Sequence, residues 1–455
     1  MRQLIKNGIV IYEDGIIEAD VLIDGEKIAR VEKDISCDNA KIIDATGKYI
    51  FPGFIDGHTH LALEVANTVT ADDFYTGTKA AVAGGTTCIV DFATQYPGES
   101  LHKALENWHK KADEKSSCDY AFHLAITDWN EDISRELEQI VKEGVTSFKL
   151  YMTYDTKVDD ATMYEILSRL KELGGIAGVH CENDGMIQAR VKKEKEKGHL
   201  SPDAHPICRP KEAEMEAIYR LLSIAKLVDT PVIVVHLSTA EGYEIIREAR
   251  KQGQKVYIES CPQYFLLDES YYYLRHEESQ KYICSPPLRN KSNHDVFWRA
   301  LKDGEIQTIA TDHCSFTVRQ KAMGRDDFTK IPNGMPGLET RSSLMYTYGV
   351  DEERISLERM CKVLATNPAK LYGLYPQKGV IAPESDADIV IWNPEKRGIL
   401  ETKKMNTNTD YCSYEGWKVS GEPEKVFLRG KLVARGGEIV EEKLGKYCPR
   451  GLNSL

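Results

Sequence analysis

From about residue 50 to residue 370, short apolar runs alternate with stretches whose apolar residues recur every three or four positions. The runs at 49–55, 87–92, 120–125, 147–151, 176–179, 232–235, 256–259 and 307–310 have the length and composition of buried strands. Helical periodicity fills the gaps near 72–84, 100–114, 132–143, 160–173, 184–197, 211–228, 239–252, 292–302 and 338–348. Eight strands separated by helices predict an α/β fold, a parallel (β/α)8 TIM-like barrel. An open doubly wound sheet is the alternative, but no GxGxxG follows a strand. The Lys/Glu run at 192–197 reads as a solvated helix face.

Both ends of the chain carry a different pattern. Short β-branched runs at 4–11, 19–23 and 28–31 are separated by the turns Glu13-Asp14-Gly15 and Asp24-Gly25-Glu26. The same texture returns at 389–392, 425–428 and 431–433, with Arg429-Gly430 between the last two. Neither end is large enough to fold alone. The expected organisation is therefore a small β-sandwich domain from 1–50 plus 378–440, a catalytic barrel over 51–377, and a tail over 441–455.

Composition narrows the class further. The 455 residues are 42% hydrophobic, 29% charged and 9% aromatic, which excludes a disordered, collagenous or coiled-coil chain. A formal charge of −12 gives no basic footprint for nucleic acid. No apolar run approaches the roughly 20 residues of a membrane helix, and the N-terminus lacks the apolar region of a signal peptide. Eleven scattered cysteines form no CxxC pair, which fits reduced thiols in a cytoplasmic protein.

The chemistry gathers at the predicted strand ends. His58 and His60 in Asp56-Gly57-His58-Thr59-His60 lie two residues apart in an extended segment, so their imidazoles point the same way. His180 follows the run 176–179, His236 follows 232–235, and Asp312 follows 307–310. Each alone reads as an ordinary hydrogen-bonded residue at a strand end. Together they define a metal site on the face where barrel enzymes build their centres. Lys149 lies within the apolar strand 147–151, where a bare ammonium is costly. Its bland reading is a lysine reaching solvent. If buried, it has a lowered pKa and can react with carbon dioxide to give a carbamate, whose two oxygens can bridge two metals. That extra anion also offsets the charge of two divalent ions.

These residues resemble the cyclic amidohydrolases of the dihydropyrimidinase and hydantoinase family, within the metal-dependent amidohydrolase superfamily. The resemblance runs from Phe51-Pro52-Gly53-Phe54-Ile55-Asp56-Gly57-His58-Thr59-His60 through Ser147-Phe148-Lys149, His180-Cys181-Glu182-Asn183 and Val235-His236-Leu237-Ser238. It continues through Cys284-Ser285-Pro286-Pro287-Leu288-Arg289, Ala310-Thr311-Asp312-His313-Cys314, Ile331-Pro332-Asn333-Gly334, Asn367-Pro368-Ala369-Lys370 and Ser385-Asp386-Ala387-Asp388.

The resemblance implies two zinc ions per subunit, one held by His58, His60 and Asp312 and the other by His180 and His236. N6-carboxylated Lys149 and a hydroxide bridge them. It makes Tyr154 the hydroxyl that binds the substrate carbonyl, and Ser285 and Asn333 the residues whose backbone holds a small cyclic amide or ureide. Asp312 then moves the proton from the attacking water to the leaving nitrogen. It also implies a homo-oligomer, a tetramer or dimer, to which the C-terminal region contributes. A dihydroorotase is disfavoured because the HxHxR pattern of that branch is not met: Ala62 stands where the arginine would be. An allantoinase-like hydrolase is the runner-up, and a non-catalytic scaffold relative is disfavoured because all the zinc-binding residues are present.

One segment departs from the family pattern. After HxH the chain reads Leu61-Ala62-Leu63-Glu64-Val65-Ala66-Asn67, without the usual proline and phenylalanine. If Glu64 reaches the pocket mouth, it disfavours carboxylate-bearing substituents; the alternative is a Glu64 facing solvent. Cys181 and Cys314 beside the ligands are expected to be packing residues.

Overall fold

The computed structural model describes residues 2–455. Eight parallel strands form the central sheet: β1 (Phe54–Thr59), β2 (Thr86–Thr94), β3 (Asp119–Ala125), β4 (Ser147–Tyr151), β5 (Ile176–His180), β6 (Val232–Val234), β7 (Val256–Ser260) and β8 (Thr308–Ile309). Each pairs with its sequence neighbour, from β1 through to β8. Helices Phe74–Ala83, Leu101–Ala112, Glu131–Lys142, Asp160–Leu173, Asp184–Glu196, Lys211–Val228, Ala240–Lys251 and Asn293–Lys302 fall where the periodicity places them. Their starts are set locally: Asp73, Ser100, Asn130, Asp159, Asn183 and Thr239 each accept hydrogen bonds from first-turn N–H groups. The helix expected over 338–348 is α-helical only over Arg341–Met345 and continues as a π-helix over Tyr346–Asp351.

One strand assignment needs correction. The apolar run 49–55 is not a single barrel strand. Tyr49–Pro52 belongs to the second sheet, and the barrel strand begins at Phe54. Gly53 makes the break possible: a Cβ there would stand 2.0 Å from Thr87 Oγ1.

The barrel closes through side chains more than through backbone. Between β8 and β1 the ladder is reduced to a bridge between Thr59 and His313, with His60 N–H donating to His313 O at 2.8 Å. Arg341, 1% exposed, staples this seam. Its Nη1 donates to Ile55 O at 2.8 Å and to Ile309 O at 2.9 Å, and Nη2 donates to Thr86 Oγ1 at 3.0 Å. Its Nε lies 3.7 Å from Asp56, whose carboxylate accepts from Thr311 N–H on the far side of the seam.

The second sheet is drawn from both ends of the chain. Its strand order is Glu438–Ile439, Lys431–Arg435, Lys418–Leu428, Ile389–Ile399, Tyr49–Pro52, Arg2–Ile11, Ile16–Asp24 and Lys27–Glu32, with Lys41–Asp44 beside Arg2–Ile11. It buries its own apolar cluster, including Ile5, Val21, Ile50, Ile389 and Phe427. A buried charge cluster joins it to the barrel. Lys378 Nζ donates to Asp119 at the start of β3 (2.7 Å) and to Asp386 (2.9 Å) and Asp388 (2.7 Å) before strand Ile389–Ile399.

The tail 441–455 lies along the N-terminal rim of its own barrel. Gly445 N–H donates to Ser116 O, Cys448 N–H to Tyr120 O and Arg450 N–H to Gly144 O. The buried Arg450 guanidinium donates to Ser147 Oγ at 2.6 Å, Ser147 Oγ meets His123 Nδ1, and His123 Nε2 donates to Gly57 O at 2.9 Å. A chain of hydrogen bonds thus runs from the tail to the residue preceding His58.

Candidate metal centre

The C-terminal ends of the strands bring His58, His60, Lys149, His180, His236 and Asp312 to one face of the barrel. His58 lies within β1 and His60 just past it, Lys149 lies in β4, and His180 ends β5. His236 and Asp312 follow β6 and β8 with φ of 38° and 52°, and Tyr154 past β4 has φ 71°. Non-glycine residues rarely adopt such angles, and each costs on the order of 1–3 kcal/mol. The strain coincides with the turns that aim these side chains inward.

Three ligand-type atoms converge on one point. His58 Nε2 and His60 Nε2 each stand 3.2 Å from the same Asp312 Oδ1. The His58 ring is oriented from behind, where Nδ1 meets Glu259 Oε1 at 2.6 Å, and Tyr372 donates its hydroxyl to Glu259 Oε2 at 3.0 Å. With Nδ1–H donated to Glu259, the Nε2 lone pair faces the Asp312 oxygen, an arrangement that calls for a cation between them. His58 Nε2 is buried and has no hydrogen-bond partner, and the same is true of His236 Nδ1. A metal fits this set: the orphaned buried nitrogens are the atoms it would satisfy.

The remaining residues continue the arrangement. The His236 ring lies 5.3 Å from that of His58 and 4.5 Å from that of His180, measured between centroids. His180 Nε2 meets Glu182 Oε2 at 2.8 Å, and Arg209 Nη1 donates to the same oxygen at 2.5 Å. That carboxylate fixes Nε2–H, so Nδ1 carries the lone pair. Lys149 is 1% exposed and forms no salt bridge among the described residues; its Nζ lies 5.0 Å from the Phe92 ring centroid and 5.2 Å from that of Tyr151.

Burial sets the electrostatics. It pushes His58 and His236 well below the usual imidazole range and lowers His180, with the Lys149 charge adding to each shift. In all three rings burial therefore favours the neutral form, the form that ligates metal. Burial lowers Lys149 to about 8 against the opposing pull of Asp312 and Glu259. Burial opposes ionisation of Asp312, but His58, His60 and Lys149 outweigh it and hold the carboxyl low. Burial also raises the Cys181 and Cys314 thiols, which disfavours thiolate ligation.

Tyr154 and Ser285 border the same face, and the Asn333 segment meets that of Ser285 where Gly334 N–H donates to Ile283 O. The Tyr154 ring lies 5.2 Å from His180 and 5.1 Å from the Arg209 guanidinium, and its hydroxyl neighbours Ser285. Burial pushes that hydroxyl up to about 12, with Arg209 opposing, so it is a proton donor at neutral pH. Glu64 does not turn inward. It sits in the hairpin of Glu64–Val65 and Thr68–Val69, where it accepts from the Tyr96 hydroxyl at 3.1 Å and lies 3.8 Å from Lys111 Nζ with 59% of its side chain exposed.

Four supporting residues escaped the sequence reading: Glu259, Glu182, Arg209 and Tyr372. Glu259 left a trace, an acidic residue ending an apolar strand run. Glu182 left a weaker one, two positions after His180.

Comparison with known proteins agrees with this architecture. Residues 49–433 match the model of the Amidohydrolase family. The chain is 45% identical to the D-hydantoinase of Geobacillus stearothermophilus, over 99% of this chain and 97% of that one. It is 40% identical to the D-hydantoinase of Ralstonia pickettii, over 99% of each chain. The crystal structure of dihydropyrimidinase from Brevibacillus agri NCHU1002 superposes with a TM-score of 0.99 at 44% identity, covering all of both chains. The chain belongs to the amidohydrolase family, in its hydantoinase and dihydropyrimidinase branch.

Proposed function

We propose that this protein hydrolyses the ring amide of dihydropyrimidines and 5-substituted hydantoins, yielding N-carbamoyl amino acids. The observation that carries the reading is the convergence of His58, His60 and Asp312 on one point, with two buried histidine nitrogens left unpaired. We assign His58, His60 and Asp312 as the residues that would hold one zinc ion and His180 and His236 as those that would hold a second, with carboxylated Lys149 as the anion that would complete the set. When bound, such a pair supplies a water acidified to hydroxide near neutral pH and Lewis-acid polarisation of a carbonyl.

The rest of the chemistry belongs to the chain. The Tyr154 hydroxyl donates to the carbonyl oxygen as negative charge develops there. Asp312 accepts the proton of the attacking water and returns it to the ring nitrogen as the C–N bond breaks. The backbone of Ser285 and Asn333 holds the amide edge of the ring. Glu259 keeps the His58 ring in register, and Glu182 does the same for His180. The names of the relatives support the substrate class. All eleven cysteines are free, which supports a reducing, cytoplasmic setting. We assign a homo-oligomeric state, tetramer or dimer, on the family resemblance.

The test is a substrate panel of dihydrouracil, hydantoin, 5-substituted hydantoins and allantoin, read by formation of the ring-opened carbamoyl product. Turnover of dihydrouracil or a hydantoin is expected. Turnover of allantoin alone, or of none of them, overturns the assignment.

A further inference from the structure

Three lysines are almost completely buried: Lys149, Lys321 and Lys378, each at most 2% exposed. Lys149 lies in the metal centre, and Lys378 is neutralised by three carboxylates. Lys321 differs from both, because its partners are backbone carbonyls. Its Nζ donates to Ile283 O at 2.8 Å, to Pro332 O at 2.7 Å and to Gly334 O at 2.6 Å. An ammonium has three donors, and here all three are used. The surroundings are otherwise apolar: the Phe316 ring centroid lies 5.4 Å away, and the nearby cluster contains Ile283, Cys284, Phe328, Ile331 and Met335. A charge in such a place is tolerated only when fully hydrogen-bonded.

The three carbonyls belong to the two segments assigned to substrate holding. Ile283 lies two residues before Ser285, and Pro332 and Gly334 flank Asn333. Gly334 N–H also donates to Ile283 O at 2.9 Å, so the two segments cross at this point. The crossing has little slack: Gly334 has φ 146°, and a Cβ there would stand 2.3 Å from Cys314 O. Between the two carbonyls that Lys321 holds, neither the N–H nor the C=O of Asn333 pairs with a backbone group among the described residues. One donor beside one acceptor is the complement of a cyclic amide edge.

We propose that Lys321 is the positioning residue of the substrate-holding backbone, fixing the Ser285 and Asn333 segments at the spacing that a ring amide requires. This inference rests on the cyclic-amide hydrolase reading. Lys321 touches neither the metal ligands nor the reacting atoms, so its removal acts on binding. A merely structural role would instead lower the fraction of competent enzyme, and hence kcat, at unchanged KM.

The experiment compares steady-state kinetics, bound metal and thermal unfolding of the full metal-loaded wild type, Lys321→Met and Lys321→Gln, with dihydrouracil and hydantoin. Both variants are expected to retain the wild-type metal content. KM should rise roughly tenfold or more, about 1.4 kcal/mol of lost binding, while kcat stays within about threefold. Lys321→Gln keeps two N–H donors for the three carbonyls and carries the test if Lys321→Met does not fold. A KM within about twofold of wild type, or a loss confined to kcat, overturns the inference. A wild type that opens neither ring overturns the functional reading instead, and that is known before any variant is compared.

Discussion

Arg341 offers a sharp test of how the barrel holds its metal-site residues in register. His58 lies in β1, His60 just past it, and Asp312 follows β8; these two strands meet in a seam with a single backbone bridge, and Arg341 bonds a carbonyl of each. Replacing it with methionine preserves much of the volume but leaves two carbonyls and the Asp56 carboxylate without their cation. Breaking a buried ion pair by removing one partner costs about 3–5 kcal/mol. At an unfolding entropy of ~2.1 cal/mol/K per residue, a chain of this length loses ~1 kcal/mol/K, so Tm should fall by about 3–5 °C. Metal content, measured by elemental analysis alongside calorimetry, should fall as well, because His58 and Asp312 lose their common anchor. Asp56→Asn removes the uncompensated charge, so the double variant should recover at least ~1 kcal/mol relative to the sum of the singles. An Arg341→Met protein with wild-type Tm and full metal content would show that the seam does not depend on this side chain.

Tyr154→Phe should retain both metals and lose on the order of a hundredfold in kcat, the scale of one oxyanion donor, whereas Ser285→Ala should change little; the reverse pattern would exchange their roles. Glu64→Gln should change the kcat/KM ratio between a carboxyalkyl and an aminoalkyl hydantoin by less than about twofold, because an exposed charge beside Lys111 is largely screened; a larger change at low ionic strength would place the carboxylate in the pocket. His199 has a raised pKa because Glu194, then Asp203, hydrogen-bond its ring. Its stabilising contribution is therefore complete below the unfolded value near ~6.5 and is lost as pH rises through the folded value. Urea midpoints of wild type and His199→Gln should differ at about pH 5.5 and converge by about pH 8.5; a gap independent of pH would refute the sign.

The barrel was legible because its buried strands are apolar runs and six of its eight helices begin at a capping side chain. The same property hid the break at Gly53. Residues 49–55 are apolar on both sides of it because they pass from the core of one sheet to the core of the next, and no periodicity marks the crossing. His60, His180, His236 and Asp312 could be read from strand ends, and Lys149 from the cost of a charge inside an apolar strand. Their supports could not. Glu259 reaches His58 across 201 positions and Arg341 reaches Ile55 across 286, so nothing near either residue in sequence marks its partner. Arg450 of the tail reaches Ser147 at the base of β4, a contact that no local pattern announces.

The central claim, a two-metal centre built around a carboxylated Lys149, is tested most directly by measuring metal per chain and ring-opening activity in wild type and Lys149→Ala side by side. The account predicts two divalent ions per wild-type chain, with metal and hydrolysis lost together in Lys149→Ala. A variant that keeps two metals and a near-normal rate, or a wild type that opens the ring after complete metal removal, would contradict it.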